Sequence, residues 1–231
     1  MNWLGTAFDF QAGAILNMNK PVGKTSFWVV KQVRSMVNTK VGHAGTLDPF
    51  AEGVLLLCTG RATKQVSRLM KMPKIYVAEI RLGITTNTDD QTGEVVKQAL
   101  VPGVTHNELE TYLSEFTGEI EQVPPMFSAK KIQGKRLYKL ARAGLVVERK
   151  PSTVYIEEIS MLNFQTELIK IRVKCSSGTY IRSLARDLGE KIGCGGHLHS
   201  LIRTSIGDYH NEDSLSVDQF SEIIINAAES S

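Results

Sequence analysis

Residues 41–57, VGHAGTLDPFAEGVLLL, set one carboxylate, Asp48, between Leu47 and Pro49, in a loop that holds Gly42, His43, Gly45, Thr46 and Gly53. The apolar run Val54–Cys58 follows at once and reads as a buried strand. Proline fixes its own φ and pushes the residue before it out of the helical region, so Asp48 is held by its neighbours. A held carboxylate beside a buried strand suits catalysis. Asp-Pro is also an ordinary turn signal, and taken alone the turn is the commoner meaning.

Upstream of this loop, Ala14–Asn19 reads as a short strand that ends at Lys20-Pro21-Val22-Gly23-Lys24-Thr25-Ser26. The Gly-Lys-Thr ending invites a phosphate loop, but that motif needs a glycine five residues before Gly23, where Met18 stands. Thr25 or Ser26 is instead a helix N-cap, and Phe27, Val30, Val33 and Val37 are placed on one apolar face of the helix that follows. Downstream, residues 61–72 read as helical with Val66, Leu69 and Met70 facing inward. Residues 75–82 read as a strand with Tyr76, Ala78, Ile80 and Leu82 on one face, and 83–93 as turn. Thr105 and Glu108 form a capping box ahead of Leu109, Tyr112 and Leu113.

Residues 153–162 and 166–175 read as a hairpin, and a helix near Thr179 buries Ile181, Leu184, Leu188 and Ile192 before Gly193 stops it. Ser216 and Gln219 cap an acidic last helix, about 216–228. Strand and helix patterns mix without regular βαβ alternation. The expectation is an α+β fold on a largely antiparallel or mixed sheet flanked by helices, with residues 1–231 forming a single domain.

The longest apolar run is far too short to cross a bilayer, and the N-terminal residues lack a basic segment, so neither membrane span nor signal peptide is expected. Cys58, Cys175 and Cys194 are odd in number and never spaced C-x-x-C, which argues against a disulfide framework or zinc site and for a cytoplasmic location. His197-x-His199 lacks a third ligand and reads as loop, so no metal is expected. Net charge is +3, but residues 123–150 carry eight lysines and arginines against Glu148 alone, a local +7. That segment, about 124–151, is bounded by Pro124-Pro125 and Pro151 and reads as a hinged insertion. So concentrated a charge points to a polyanion partner, although a solvated helix face is a common alternative.

Several short patterns occur in order: Asn19-Lys20-Pro21, Gly42-His43-x-Gly45-Thr46-Leu47-Asp48-Pro49, Lys74-x-Tyr76, Arg81-Leu82-Gly83, Val123-Pro124-Pro125 with Ser128-Ala129, and Gly178-Thr179-Tyr180-Ile181-Arg182. Together they resemble the TruB family, the bacterial tRNA pseudouridine-55 synthases, over roughly residues 12–210. The resemblance implies the pseudouridine synthase fold. It also implies conversion of one T-loop uridine of tRNA to its C5-glycosidic isomer, with no cofactor, metal or obligate protein partner, by a monomer.

By the same resemblance Asp48 is the catalytic acid. It could attack the sugar C1′, attack the base at C6, or remove a sugar proton. His43 would occupy space beside the flipped uridine, Tyr76 would pack on the uracil, and Arg182 would pair with Asp48. Tyr180 and Leu201 would line the uracil pocket, with Asp90 nearby. An Asx turn is nearly as good an account of Asp90. Lys20 and Lys64 are candidate phosphate contacts. Lys130, Lys131, Lys135, Arg136, Lys139 and Arg142 would form the clamp over the T-arm.

The sequence departs from the family pattern at Asn87, where an aspartate is more usual, and at Ile202, where an arginine is. The small C-terminal RNA-binding domain of most members is expected to be absent. Two rival functions stand beside the synthase: a non-catalytic RNA-binding or tRNA-folding protein on the same scaffold, and a guide-RNA-dependent synthase. The first needs none of Asp48, Tyr76 and Arg182, and the second is expected to need the extra domain.

Overall fold

A computed structural model describes residues 9–128, 130–132, 134–145 and 147–229. Among them, β1 (Ile15–Lys20), α1 (Ser26–Val37), β2 (Val41–His43) and β3 (Glu52–Thr59) lead to a 3-10 stretch and α2 (Val66–Met70). Then follow β4 (Lys74–Leu82), β5 (Ile84–Thr86), β6 (Val95–Gln98), α3 (His106–Ser114) and β7 (Gly118–Gln122). The basic segment holds β8 (Lys131–Ile132), β9 (Lys135–Arg136) and α4 (Leu137–Arg142). The chain continues through β10 (Ser152–Gln165), β11 (Leu168–Cys175), α5 (Ile181–Ile192), β12 (Gly196–Ile206), β13 (Tyr209–His210) and α6 (Val217–Glu229). The main sheet runs β1-β3-β12-β4-β11-β10-β7, with β2 on β3 and β13 on β12. β12 runs parallel to β3, while β1–β3, β10–β11 and β7–β10 are antiparallel, so the sheet is mixed as expected.

The chain divides into two compact units, one up to Ile75 together with Ile202 onward, the other Tyr76–Leu201. In the first unit β3 is covered on both faces. Leu55 and Leu57 join Leu16 and Met18 of β1, Val29, Val30 and Val33 of α1, and Phe220 of α6. Val54, Leu56 and Cys58 turn the other way, to Ala44, Leu69 and Ile206. A strand buried on both faces shows no alternation, which explains the unbroken apolar run.

Two inward assignments are corrected here: Phe27 is 70% exposed and Met70 46% exposed. The buried stripe of α1 is Ser26, Val29, Val30 and Val33, and at 100° per residue Phe27 lies roughly 110° off its centre. Residues 61–72 are not one helix but a 3-10 stretch, Gly60–Gln65, followed by the short α2.

In the second unit Ile169, Ile171 and Val173 of β11 and Ala78, Ile80 and Leu82 of β4 are buried, as their alternation requires. The α3 capping box is present in both directions. Three features differ from expectation. The stretch read as turn contains β5, paired with β6; β7 extends the sheet beside β10; and His197-x-His199 lies in β12, with His197 Nδ1 2.9 Å from the Ile84 carbonyl oxygen. Gly193, Gly195 and Gly196 around the two histidines imitate a loop, and strand pairing overrides that local signal.

Candidate active site

The Asp48 loop is fastened within the first unit from both sides. Upstream, the Ala44 amide donates to the Leu56 carbonyl at 2.9 Å. The Ser26 hydroxyl, buried at the start of α1, accepts from the Leu47 amide at 2.9 Å and donates to the Leu47 carbonyl at 3.0 Å. Downstream, the Pro49 carbonyl accepts from the Gly23 amide at 2.8 Å and from Lys20 Nζ at 3.2 Å. Leu47 and Phe50 are buried while Asp48 is half-buried. The residues on either side of Asp48 are thus fixed by two buried side chains and one backbone amide. This is the preorganisation that a reactive carboxylate needs.

Arg203, 1% exposed, spans the base of the loop, donating from Nε to the Val54 carbonyl at 2.8 Å and from Nη2 to the Gly45 carbonyl at 3.3 Å. Its strand passes so close to Gly53 (φ +106°) that a Cβ there would lie 2.3 Å from the Arg203 carbonyl oxygen, so only glycine fits.

Lys20 is not placed as a phosphate contact. It is fully buried, and its Nζ donates to the carbonyls of Pro21, Lys24 and Pro49. Burial lowers its pKa to about 8, opposed by the carboxylates of Asp48 and Glu52 and reinforced by Arg203. A buried cation is retained where carbonyls and nearby acids satisfy it. Its role is internal, on the loop, and Lys64 remains exposed.

His43 ends β2 and is half-buried, with an Nδ1 that finds no hydrogen-bond partner among the described residues. Burial lowers its pKa; an interaction with the Gly45 backbone raises it, and the Arg203 charge lowers it further. A neutral imidazole follows at pH 7.

In the second unit Arg182, 4% exposed, donates to the carbonyls of Thr88 at 3.0 Å and Phe127 at 2.8 Å, and pairs with Asp90 at 3.3 Å. Asp90 accepts from the Thr92 amide at 2.9 Å and from the hydroxyls of Thr88 and Thr92 at 2.8 and 2.6 Å. Asp90 thus makes the Asx turn, and it also pairs with Arg182. Tyr180 caps α5, with backbone N–H and C=O both bonded to the buried Gln122 side chain at 2.8 and 3.0 Å. Tyr76 and Leu201 are buried, on β4 and β12.

A second, partly buried ion-pair group lies next to the first. Arg186 meets Asp89 at 3.0 Å and Asp187 at 2.7 Å, and donates to the Val123 carbonyl at 3.1 Å. Arg149 donates to the Pro124 carbonyl at 3.0 Å, joining the outgoing and returning legs of the basic segment. Burial pushes the Asp89 carboxyl up, against the pull of Arg186, Arg182 and Arg149. Lys135 and Lys139 of that segment are exposed and Lys130 is half-buried. The side chains of Lys131, Arg136 and Arg142, and the whole of Ala129, lie outside the described residues.

Sequence reasoning missed Ser26 as a buried brace, Gln122, Arg203, and the Arg186 pairings. An i,i+4 repeat of arginine at 182 and 186, opposite the adjacent acids Asp89 and Asp90, was the available signal. At Asn87, the departure from the family pattern, the side chain bonds Glu94 at 3.3 Å, where an aspartate would repel it.

Residues 33–181 match the profile of the TruB family pseudouridylate synthase N-terminal domain, and 182–231 that of the tRNA pseudouridylate synthase B C-terminal domain. The tRNA pseudouridine synthase B of Clostridium kluyveri is 50% identical over 205 residues, 88% of this chain and 71% of that protein. Its counterpart in Phocaeicola vulgatus is 47% identical over 221 residues, 93% of this chain and 94% of that protein. Among solved structures, a chain from a Cbf5-Nop10-Gar1 complex superposes with a TM-score of 0.72 at 29% identity, covering 95% of this chain and 60% of that one. Another, from an H/ACA RNP bound to a substrate RNA containing 2′-deoxyuridine, gives 0.71 at 27% identity, over 96% and 56%.

Proposed function

The chain belongs to the TruB family of pseudouridylate synthases, and on that premise we propose that it isomerises the T-loop uridine of tRNA at position 55, with Asp48 as the reacting carboxylate. The N1–C1′ bond breaks, the uracil turns, a C5–C1′ bond forms, and the C5 proton moves to solvent while N1 gains one. Reactant and product have the same atoms and oxidation state. The observation that carries the assignment of Asp48 is the bracing of Leu47 and Pro49 on either side of it. A binding protein has no need of a carboxylate whose neighbours are held so closely.

The uridine is stacked in the folded arm, so it must be flipped out before its C1′ or C6 can be reached. His43 is suited to fill the vacated space. It is neutral, and its unpartnered Nδ1 gains a partner when a base edge or sugar arrives. Tyr76 is assigned to the face of the uracil and Tyr180 with Leu201 to its edges. Arg182, already held by Asp90, is assigned to keep Asp48 ionised and oriented. The basic segment with Lys130, Lys135 and Lys139 grips phosphates, which fixes register on the arm while loop shape selects the target. In this reading residues 1–231 act as one catalytic domain, as a monomer, in the cytoplasm; the three buried thiols suit a reducing compartment.

Carbodiimide treatment followed by primer extension locates pseudouridine on an unmodified tRNA transcript. One new stop at the T-loop uridine is expected after incubation with the protein. Stops elsewhere and none in the T-loop would reject the site, and tight binding with no stop would favour the RNA-binding rival.

A further inference from the structure

The exposed face of α1 is unaccounted for by the site above. Residues 10–47 contain Lys20, Lys24, Lys31, Arg34 and Lys40 and not one acidic residue. Lys20 is buried, but Lys24, Lys31, Arg34 and Lys40 are exposed. No ion pair among the described residues neutralises Lys24, Lys31 or Arg34. In the same stretch Phe27 is 70% exposed and Val22 56%.

On a helix, positions 27, 31 and 34 fall within about 60° of one another and span about 10 Å along the axis. Phe27, Lys31 and Arg34 therefore form one stripe, with Lys24 just ahead of the N-cap Thr25. Beside α1 packs α6, which belongs to a stretch, 208–231, with six acids and no lysine or arginine. The basic stripe is thus bounded on one side by a surface that repels polyanions.

The stripe is also tied to the reacting loop. Ser26, next to Phe27, makes both bonds to Leu47, and Gly23 and Lys20 hold Pro49. The face is thus joined, through Ser26 and the turn that holds Lys20 and Gly23, to the loop that carries Asp48.

We infer that the Lys24–Phe27–Lys31–Arg34 face of α1 is a second RNA-binding surface, separate from the basic segment of 123–150, on which Phe27 stacks against an unpaired base next to the flipped uridine while the cations follow the adjoining phosphates. This rests on the proposed reaction at Asp48. Stacking on an aromatic ring accepts any base, and lysine or arginine beside it adds phosphate attraction, the usual pairing at single-stranded RNA.

The test uses the full chain with an unmodified tRNA transcript and with the isolated T-arm stem-loop. Phe27→Ala is expected to raise Kd and KM roughly 5- to 10-fold on both RNAs, with the single-turnover rate at saturation retained. Lys31→Gln with Arg34→Gln is expected to lower the slope of log K against log salt by about 1.5, two contacts at about 0.7–0.9 each. Lys97→Gln, exposed on β6, serves as a control with neither effect. Thermal melting confirms that each variant is folded. If the wild type forms pseudouridine and the α1 variants match it in Kd, KM and salt slope on the stem-loop, the surface is overturned and the reaction stands. If the wild type forms none, the reaction itself is overturned.

Discussion

The Lys20 ammonium is spent on three backbone carbonyls, one of them that of Pro49. Lys20→Met would leave those carbonyls without their donor, and a stability loss of about 1–3 kcal/mol is expected. The pH dependence has a definite sign. The folded pKa is lowered from 10.5 to about 8, so between those values the unfolded chain binds more protons than the native one. Stability contributed by this group therefore rises with pH across that window and is at its least below about 8. Denaturant unfolding from pH 7 to 10 is expected to show the wild type gaining on Lys20→Met as pH rises. A constant difference would mean that the ammonium is not desolvated. Asp48, by contrast, was legible as a held acid, because proline restricts it whatever the tertiary fold does. Phe27 was not, since an aromatic beside three valines matches an apolar face unless the helix's rotation is known.

At the scale of elements, the local signals that proved sound are the self-contained ones. The capping box at Thr105 and Glu108, the αL cap at Gly193 and the alternation in β11 each encode their structure within a few residues. Among the strands that were missed, β7 and β12 depend on partners far along the chain, β7 being a strand because Ser152–Ile156 of β10 lie against it; β5, by contrast, pairs with the nearby β6. The Arg186 network belongs to the same class, joining the 86–93 turn, α5 and Val123. Asp89 has φ +60°, a conformation that asparagine tolerates, so Asp89→Asn removes charge without straining the backbone. The half-buried arginine would lose one of its two anionic partners, at a cost of about 2 kcal/mol. A melting temperature lower by roughly 4–8 °C is expected, with faster hydrogen exchange around Val123. Unchanged melting would show that Asp187 alone holds Arg186.

For the whole molecule, net charge concealed its own arrangement. A total of +3 hides the +7 of residues 123–150. It also hides a second basic tract, residues 10–78, with ten lysines and arginines against Asp48 and Glu52, a local +8. The first was visible because its acids are nearly absent over a short window, while the second is diluted by apolar strands that only the fold reveals as buried. Two basic tracts and one braced carboxylate suit an enzyme that grips a polyanion and reacts at a single nucleotide. On the proposed reaction Asp48 exchanges the glycosidic bond of one uridine. Tritium at uracil C5 is lost to water when C5 bonds to the sugar, so its release from a labelled, unmodified tRNA transcript measures that exchange. Release of one equivalent per tRNA is expected from the wild type and none from Asp48→Asn, with RNA binding retained by both. Release by Asp48→Asn at the wild-type rate would contradict the account.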